Sequence, residues 1–183
     1  MRELADIDVL TDERVRLVVA RVSLAVLVAC AVLGVVLRVA GLGRGLVDEV
    51  ARMGPIAWAA SLVAGVLVPL PIHELVHAAL LRLAGGPGTR VRFGASSGML
   101  YAGCPGLELG RAPMSVVLVG PAVVLSVALL ATGGAVGLPD LGYLWFACHL
   151  AGCAGDLYFV WRIWREPACT RVRDTERGIA LLG

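Results

Sequence analysis

The chain has 183 residues, of which 58% are hydrophobic and only 16% charged, with a mean hydropathy of +0.85. A soluble domain of this length needs more surface charge, so the composition points to a helical membrane protein rich in Leu, Val and Ala. The net charge is +2, and the 16 basic residues, all Arg, follow the ends of apolar segments. No nucleic-acid patch forms, and the absence of Lys matches the coding bias of a GC-rich bacterium.

Residues 1–16 read as a polar tail in which Thr11-Asp12-Glu13 starts a helix, a cap followed by two acids. Residues 17–40 are apolar apart from Arg21 and Arg38 and are long enough for a first membrane helix. A Gly-containing loop with Arg44, Asp48, Glu49 and Arg52 leads to a second apolar segment, 55–84. That segment is too long for one straight span, and Pro69 and Pro71 are expected to break it. Over 85–112 the runs Thr89–Phe93 and Met99–Ala102 flank the Gly/Ser stretch 94–98, which predicts a β-hairpin and the chain's only β-structure. A third helix follows over 113–138, with a Gly120-Pro121 break, and a fourth over 141–161. Trp161, Arg162, Trp164 and Arg165 form an interface belt, and 162–183 is expected to be a tail lying against the surface.

The predicted architecture is one integral membrane domain over 1–183. It is an all-α membrane protein with four transmembrane helices and a small cytoplasmic β-hairpin between helices 2 and 3. Arg2, Arg14, Arg16 and Arg21, the hairpin arginines and those after the fourth helix share one side; Arg38, Arg44 and Arg52 lie on the other. The positive-inside rule then puts both termini on the cytoplasmic side of a bacterial inner membrane. The first ten residues are acidic and lack a basic n-region, so no cleavable signal peptide is predicted. The five cysteines (Cys30, Cys104, Cys148, Cys153 and Cys169) contain no C-x-x-C, which argues against a disulfide framework or a Cys-type zinc site.

The chemistry is concentrated in Pro71-Ile72-His73-Glu74-Leu75-Val76-His77-Ala78. Helix positions i and i+4 share a face, so His73 and His77 can offer two imidazoles to one metal while Glu74 stands beside it as a base for water. The alternative, two helix histidines satisfied by hydrogen bonds, is weakened by the apolar run around them. With four spans, helices 2 and 4 run in the same direction and bring Asp156 to a depth near the histidine pair. The small residues Ala151 to Gly155 favour close helix approach there. Asp156 is therefore the expected third ligand, with a fourth position left for water; the competing readings are a salt bridge to Arg162 or an interfacial carboxylate. His149 can be a ligand in place of Asp156, a hydrogen-bond partner behind a ligand, or an interior residue. Glu108 and Asp140 are weaker ligand candidates, one in the loop and the other on the opposite side.

This chain resembles small bacterial integral membrane proteins described as putative zincin peptidases, related in plan to site-2 proteases. The resemblance rests on the Pro71–Ala78 motif, Phe93-Gly94 and Tyr101-Ala102 in the hairpin, Ala112-Pro113 opening the third helix, and Gly155-Asp156. It implies that His73, His77 and Asp156 bind zinc, that Glu74 is the catalytic base, and that the hairpin aligns a substrate cleaved in or near the bilayer. Site-2 proteases usually carry an Asn upstream of the metal-binding Asp, and here His149 occupies the comparable region.

The expected function is thus a zinc metallopeptidase acting on a membrane-protein or peptide substrate. The edge of the hairpin over 89–102 serves either to hold an unwound substrate strand or as a plain cap. The alternatives are a catalytically silent membrane protein with a structural or regulatory metal site and a small cation or proton transporter. Neither of those needs a carboxylate beside the first histidine.

Overall fold

A computed structural model describes residues 2–42, 45–96 and 99–183. The protein is mostly helical, with two small antiparallel sheets. Among the described residues three segments are long and apolar enough to cross a membrane: α1 (Glu13–Val39), the pair α3 (Pro55–Leu67) and α4 (Pro69–Gly85), and α5 (Arg111–Ala135). Their outward faces are apolar, with Val39 and Ile56 each 85% exposed, a surface suited to lipid and not to water. The short helix α2 (Leu46–Met53) precedes α3. The cap of α1 is Asp12 and not Thr11: its carboxylate accepts from the amides of Arg14 and Val15, while the Thr11 hydroxyl turns back to Asp8.

The expected break at the prolines is mild. Val68 keeps helical angles (φ −63°, ψ −39°), so α3 and α4 run on almost continuously, with Pro69 starting the new helix where its missing N–H is tolerated. The expected fourth helix is instead two helices, α6 (Pro139–Gly152) and α7 (Ala154–Arg165), meeting at Cys153. Backbone freed at this break finds partners: the Ser23 hydroxyl donates to the Ala151 carbonyl at 2.8 Å, and the Cys153 amide donates to the His149 carbonyl at 3.1 Å. Irregular backbone is tolerated among membrane helices on that condition. Helices α5 and α6 approach so closely that a Cβ on Gly133 or Gly142 would meet the other helix's backbone.

The predicted hairpin is present as β2 (Arg92–Ser96) and β3 (Met99–Gly103), paired from Arg92↔Gly103 to Ser96↔Met99. Ser97 and Gly98 of the expected turn, and Arg44 of the expected loop, lie outside the described residues. It is not the only β-structure, so the all-α expectation is corrected. A four-stranded antiparallel sheet has the order β1-β6-β5-β4, with β1 Glu3–Asp8, β4 Glu108–Gly110, β5 Arg171–Asp174 and β6 Gly178–Leu182. The two expected tails are therefore structured and paired with each other, from Glu3↔Leu182 to Asp8↔Gly178. Ile179 to Leu182 are all buried, and a strand covered on both faces reads as a short apolar run without alternation. Beneath the sheet, Ile7, Val172, Ile179 and Leu181 join Leu81, Met114, Leu118 and Ile163 in one apolar cluster that seats it on the helix ends.

At the end of the helices remote from this sheet, Glu49 is completely buried, and its two oxygens accept from the amides of Asp140 (2.8 Å) and Leu141 (3.0 Å) at the start of α6. Those donors have no partner within their own helix. We expect Glu49→Ala to destabilise the protein by about 1–3 kcal/mol, and Glu49→Gln by less because it keeps one acceptor oxygen, read as thermal unfolding in detergent.

Candidate metal centre

Helix geometry puts His73 and His77 one turn apart on the buried face of α4, and both are less than a tenth exposed. The break at Cys153 places Asp156 in the first turn of α7, where the helix dipole favours a carboxylate. The three side chains meet. His73 Nε2 is 3.0 Å from His77 Nε2 and 3.2 Å from Asp156 Oδ2, and His77 Nε2 is 3.4 Å from Asp156 Oδ1. Glu74 faces the same cavity, beside the backbone of Ala102 on β3.

The donor set fits a zinc ion on two counts. Metal–ligand distances of 2.0–2.1 Å give a tetrahedral edge of about 3.3 Å, close to all three separations. The hydrogens agree as well. The Val117 carbonyl, 3.0 Å from His77 Nδ1, can only accept, so that nitrogen carries the ring hydrogen and Nε2 presents a lone pair. His73 Nδ1 lies 3.3 Å from His149 Nε2, and when it donates there its own Nε2 is also a lone pair. Two imidazole lone pairs and a carboxylate aimed at one point repel one another unless a cation lies between them.

Among the other candidates, Glu108 is held by Arg173 at 2.8 Å in the sheet, and Asp140 is paired with Arg38 and the Gly45 amide at the far end. Neither approaches the cluster. His149 meets His73, not the Asp156 position: it sits behind the histidine pair, buried. Asp156 pairs with the histidines and not with Arg162, whose guanidinium lies against the Tyr158 hydroxyl.

Two neighbours of the cluster had no place in the sequence reading. Cys153 is wholly buried, with its sulfur 3.9 Å from His73 Nδ1 and 3.7 Å from His149 Nε2. The i,i+4 spacing from His149 to Cys153 was a visible signal for a shared helix face. Asp174, at the end of β5, carried no such signal, because its place depends on the strand pairing of the tail. Its carboxylate accepts from the Cys104 amide, and its backbone exchanges hydrogen bonds with Leu107 and Gly106, so it clamps the segment after β3. A cavity of about 380 Å³ runs from the cluster past β3 to this residue and the β5–β6 turn.

An apolar-faced helical protein with a converging His/His/Asp set defines a membrane protein with a candidate metal centre. Residues 66–171, more than half of the chain, match the family described as "putative zincin peptidase", and the chain belongs to that family. That description suggests a metallopeptidase and implies zinc as the cofactor. No curated protein and no solved structure matches the chain.

Burial pushes the Asp174 carboxyl up from 3.8 to about 6, against the pull of the Cys104 amide. A carboxyl raised in the fold stabilises it while protonated; that contribution is complete below 3.8 and is lost as pH rises through about 6. We expect the thermal stability of the protein in detergent to fall as pH rises across this window. In Asp174→Asn the fall should be absent.

Proposed function

We propose that the protein is a zinc-dependent peptidase of the H-E-x-x-H type, similar in plan to site-2 proteases, that hydrolyses peptide bonds in or next to the membrane. The observation that carries this reading is the triangle of His73, His77 and Asp156 at 3.0–3.4 Å, with Glu74 beside it in a cavity that a peptide can enter. When bound, zinc supplies Lewis acidity toward water and the scissile carbonyl. His73, His77 and Asp156 hold it. Glu74 takes the proton of the attacking water and returns it to the leaving amine. His149 accepts the Nδ1 hydrogen of His73 and so fixes the tautomer and ring angle of that ligand.

The hairpin suits substrate alignment. Among the described residues β3 pairs only with β2, and β3 lines the cavity through Leu100, Tyr101, Ala102 and Gly103. A peptide segment unwound from a membrane helix can add to its free edge, which satisfies its backbone and sets it beside Glu74. The substrate class is thus a membrane protein or membrane-bound peptide.

Strand pairing supports a fourth crossing. Since β1 lies beside β6, the two ends of the chain share a side, which requires an even number of passages through the bilayer. Helices α1, α3–α4 and α5 supply three, so α6 and α7 together make the fourth. The arginine distribution supports a cytoplasmic position for the sheet and hairpin at a bacterial inner membrane. A proton relay or a purely structural metal site has no use for a carboxylate at position 74.

Metal analysis of the purified chain, paired with cleavage of a membrane-anchored peptide, tests this. We expect bound zinc in the wild type, zinc retained in Glu74→Gln with cleavage lowered by about 10²–10⁴-fold, and both lost in His77→Ala. Wild type without zinc, or Glu74→Gln with undiminished cleavage, overturns the reading. In His149→Leu, zinc affinity should fall by about 10–100-fold, measured by competition with a chelator.

A further inference from the structure

A second set of donors lies behind His73. Its Nδ1 faces His149 Nε2 at 3.3 Å and Cys153 Sγ at 3.9 Å, and the sulfur is 3.7 Å from His149 Nε2. These three atoms form a triangle across the imidazole ring from the one made with His77 and Asp156. With metal–nitrogen distances near 2.0 Å and metal–sulfur near 2.3 Å, a tetrahedral ion separates its nitrogens by about 3.3 Å and nitrogen from sulfur by about 3.5 Å. The observed triangle differs from that by a few tenths of an ångström. Cys153 is wholly buried and both histidines nearly so. The thiol also lies 3.2 Å from the His149 carbonyl, a common contact for a helical cysteine; it employs the S–H and leaves the sulfur lone pairs directed at the imidazoles.

We propose that His73 Nδ1, His149 Nε2 and Cys153 Sγ form a second metal site, for a thiophilic ion such as zinc or monovalent copper, and that it competes with the first site for His73. Two imidazoles and a thiolate are a softer set than two imidazoles and a carboxylate, so the inner site favours the softer ion. Binding there releases the thiol proton to solvent and leaves the thiolate as ligand. The competition follows from the ring. A neutral imidazole has one lone pair, so ligation through Nδ1 puts the hydrogen on Nε2, aimed into the His77–Asp156 pair. The outer site then has two ligands in place of three, and an ion on the inner site switches it off. The site itself stands on this geometry alone; only the loss of cleavage rests on the peptidase reading.

The test is a cobalt(II) titration of the full chain in detergent, stripped of metal and held at one pH, followed by absorption. Sulfur ligation gives a near-ultraviolet charge-transfer band that a nitrogen and oxygen set lacks. We expect the band in the wild type, its loss in Cys153→Ser, and a more intense band at saturating cobalt in Asp156→Asn, where the outer site no longer holds His73. Should Cys153→Ser fail to fold, Asp156→Asn decides alone. No sulfur band in either the wild type or Asp156→Asn overturns the site, as does a band that survives in Cys153→Ser. In the cleavage assay of the zinc-loaded protein, monovalent copper should inhibit the wild type and spare Cys153→Ser; equal inhibition of both overturns the competition. A failed peptidase reading leaves the cobalt band in place, so the two failures are told apart.

Discussion

The structure depends on one constraint, the burial of polar side chains that only one another can satisfy. His73, His77, His149 and Asp156 come from α4, α6 and α7, and each would cost several kcal/mol if left alone in apolar surroundings. Their mutual contacts set the register of these helices. A slip of α7 by one turn would carry Asp156 about 5.4 Å from the imidazoles and leave a carboxylate stranded. The break at Cys153 has the same origin. Seven residues of straight helix separate His149 from Asp156 by roughly 10 Å, yet each must reach a different nitrogen of the single His73 ring.

Much of this centre was legible because its signals are local. The His73–His77 spacing and Glu74 need only a helix to acquire meaning, and Pro69 marks where that helix begins. Depth along the helices puts Asp156 near the histidine pair, and its carboxylate lies 3.2 and 3.4 Å from the two imidazoles although its helix is split. His149 was read with three roles open, and its ring faces the back of His73. Cys153 enters the sequence reading among the small residues that let helices approach, although its spacing from His149 carries the information.

The outer sheet was not legible. Its four strands come from three distant parts of the chain, 3–8, 108–110 and 171–182, and strands this short leave little pattern in any one window. The apolar stretch Ile179–Leu182 is a strand because β1 and β5 pair with it and the helix ends take its side chains. Asp174 is the part of that omission that reaches the cavity. It lines the far end of the cavity and ties the segment after β3 to the sheet, so the hairpin beside Glu74 is held from outside the membrane.

The pairing of β1 with β6 also governs the order in which the molecule can be completed. The ribosome makes residues 3–8 first, yet their hydrogen-bonding partners are residues 178–182, and Arg2 and Gly183 exchange two backbone bonds at 3.0 Å. Throughout translation and helix insertion the first strand waits without a neighbour, while the Arg177–Gly178 wall of the cavity does not yet exist. A nascent chain that already holds all its membrane helices still lacks the outer wall of its own chamber. The fold thereby delays a finished cavity until residues 178–182 have been made.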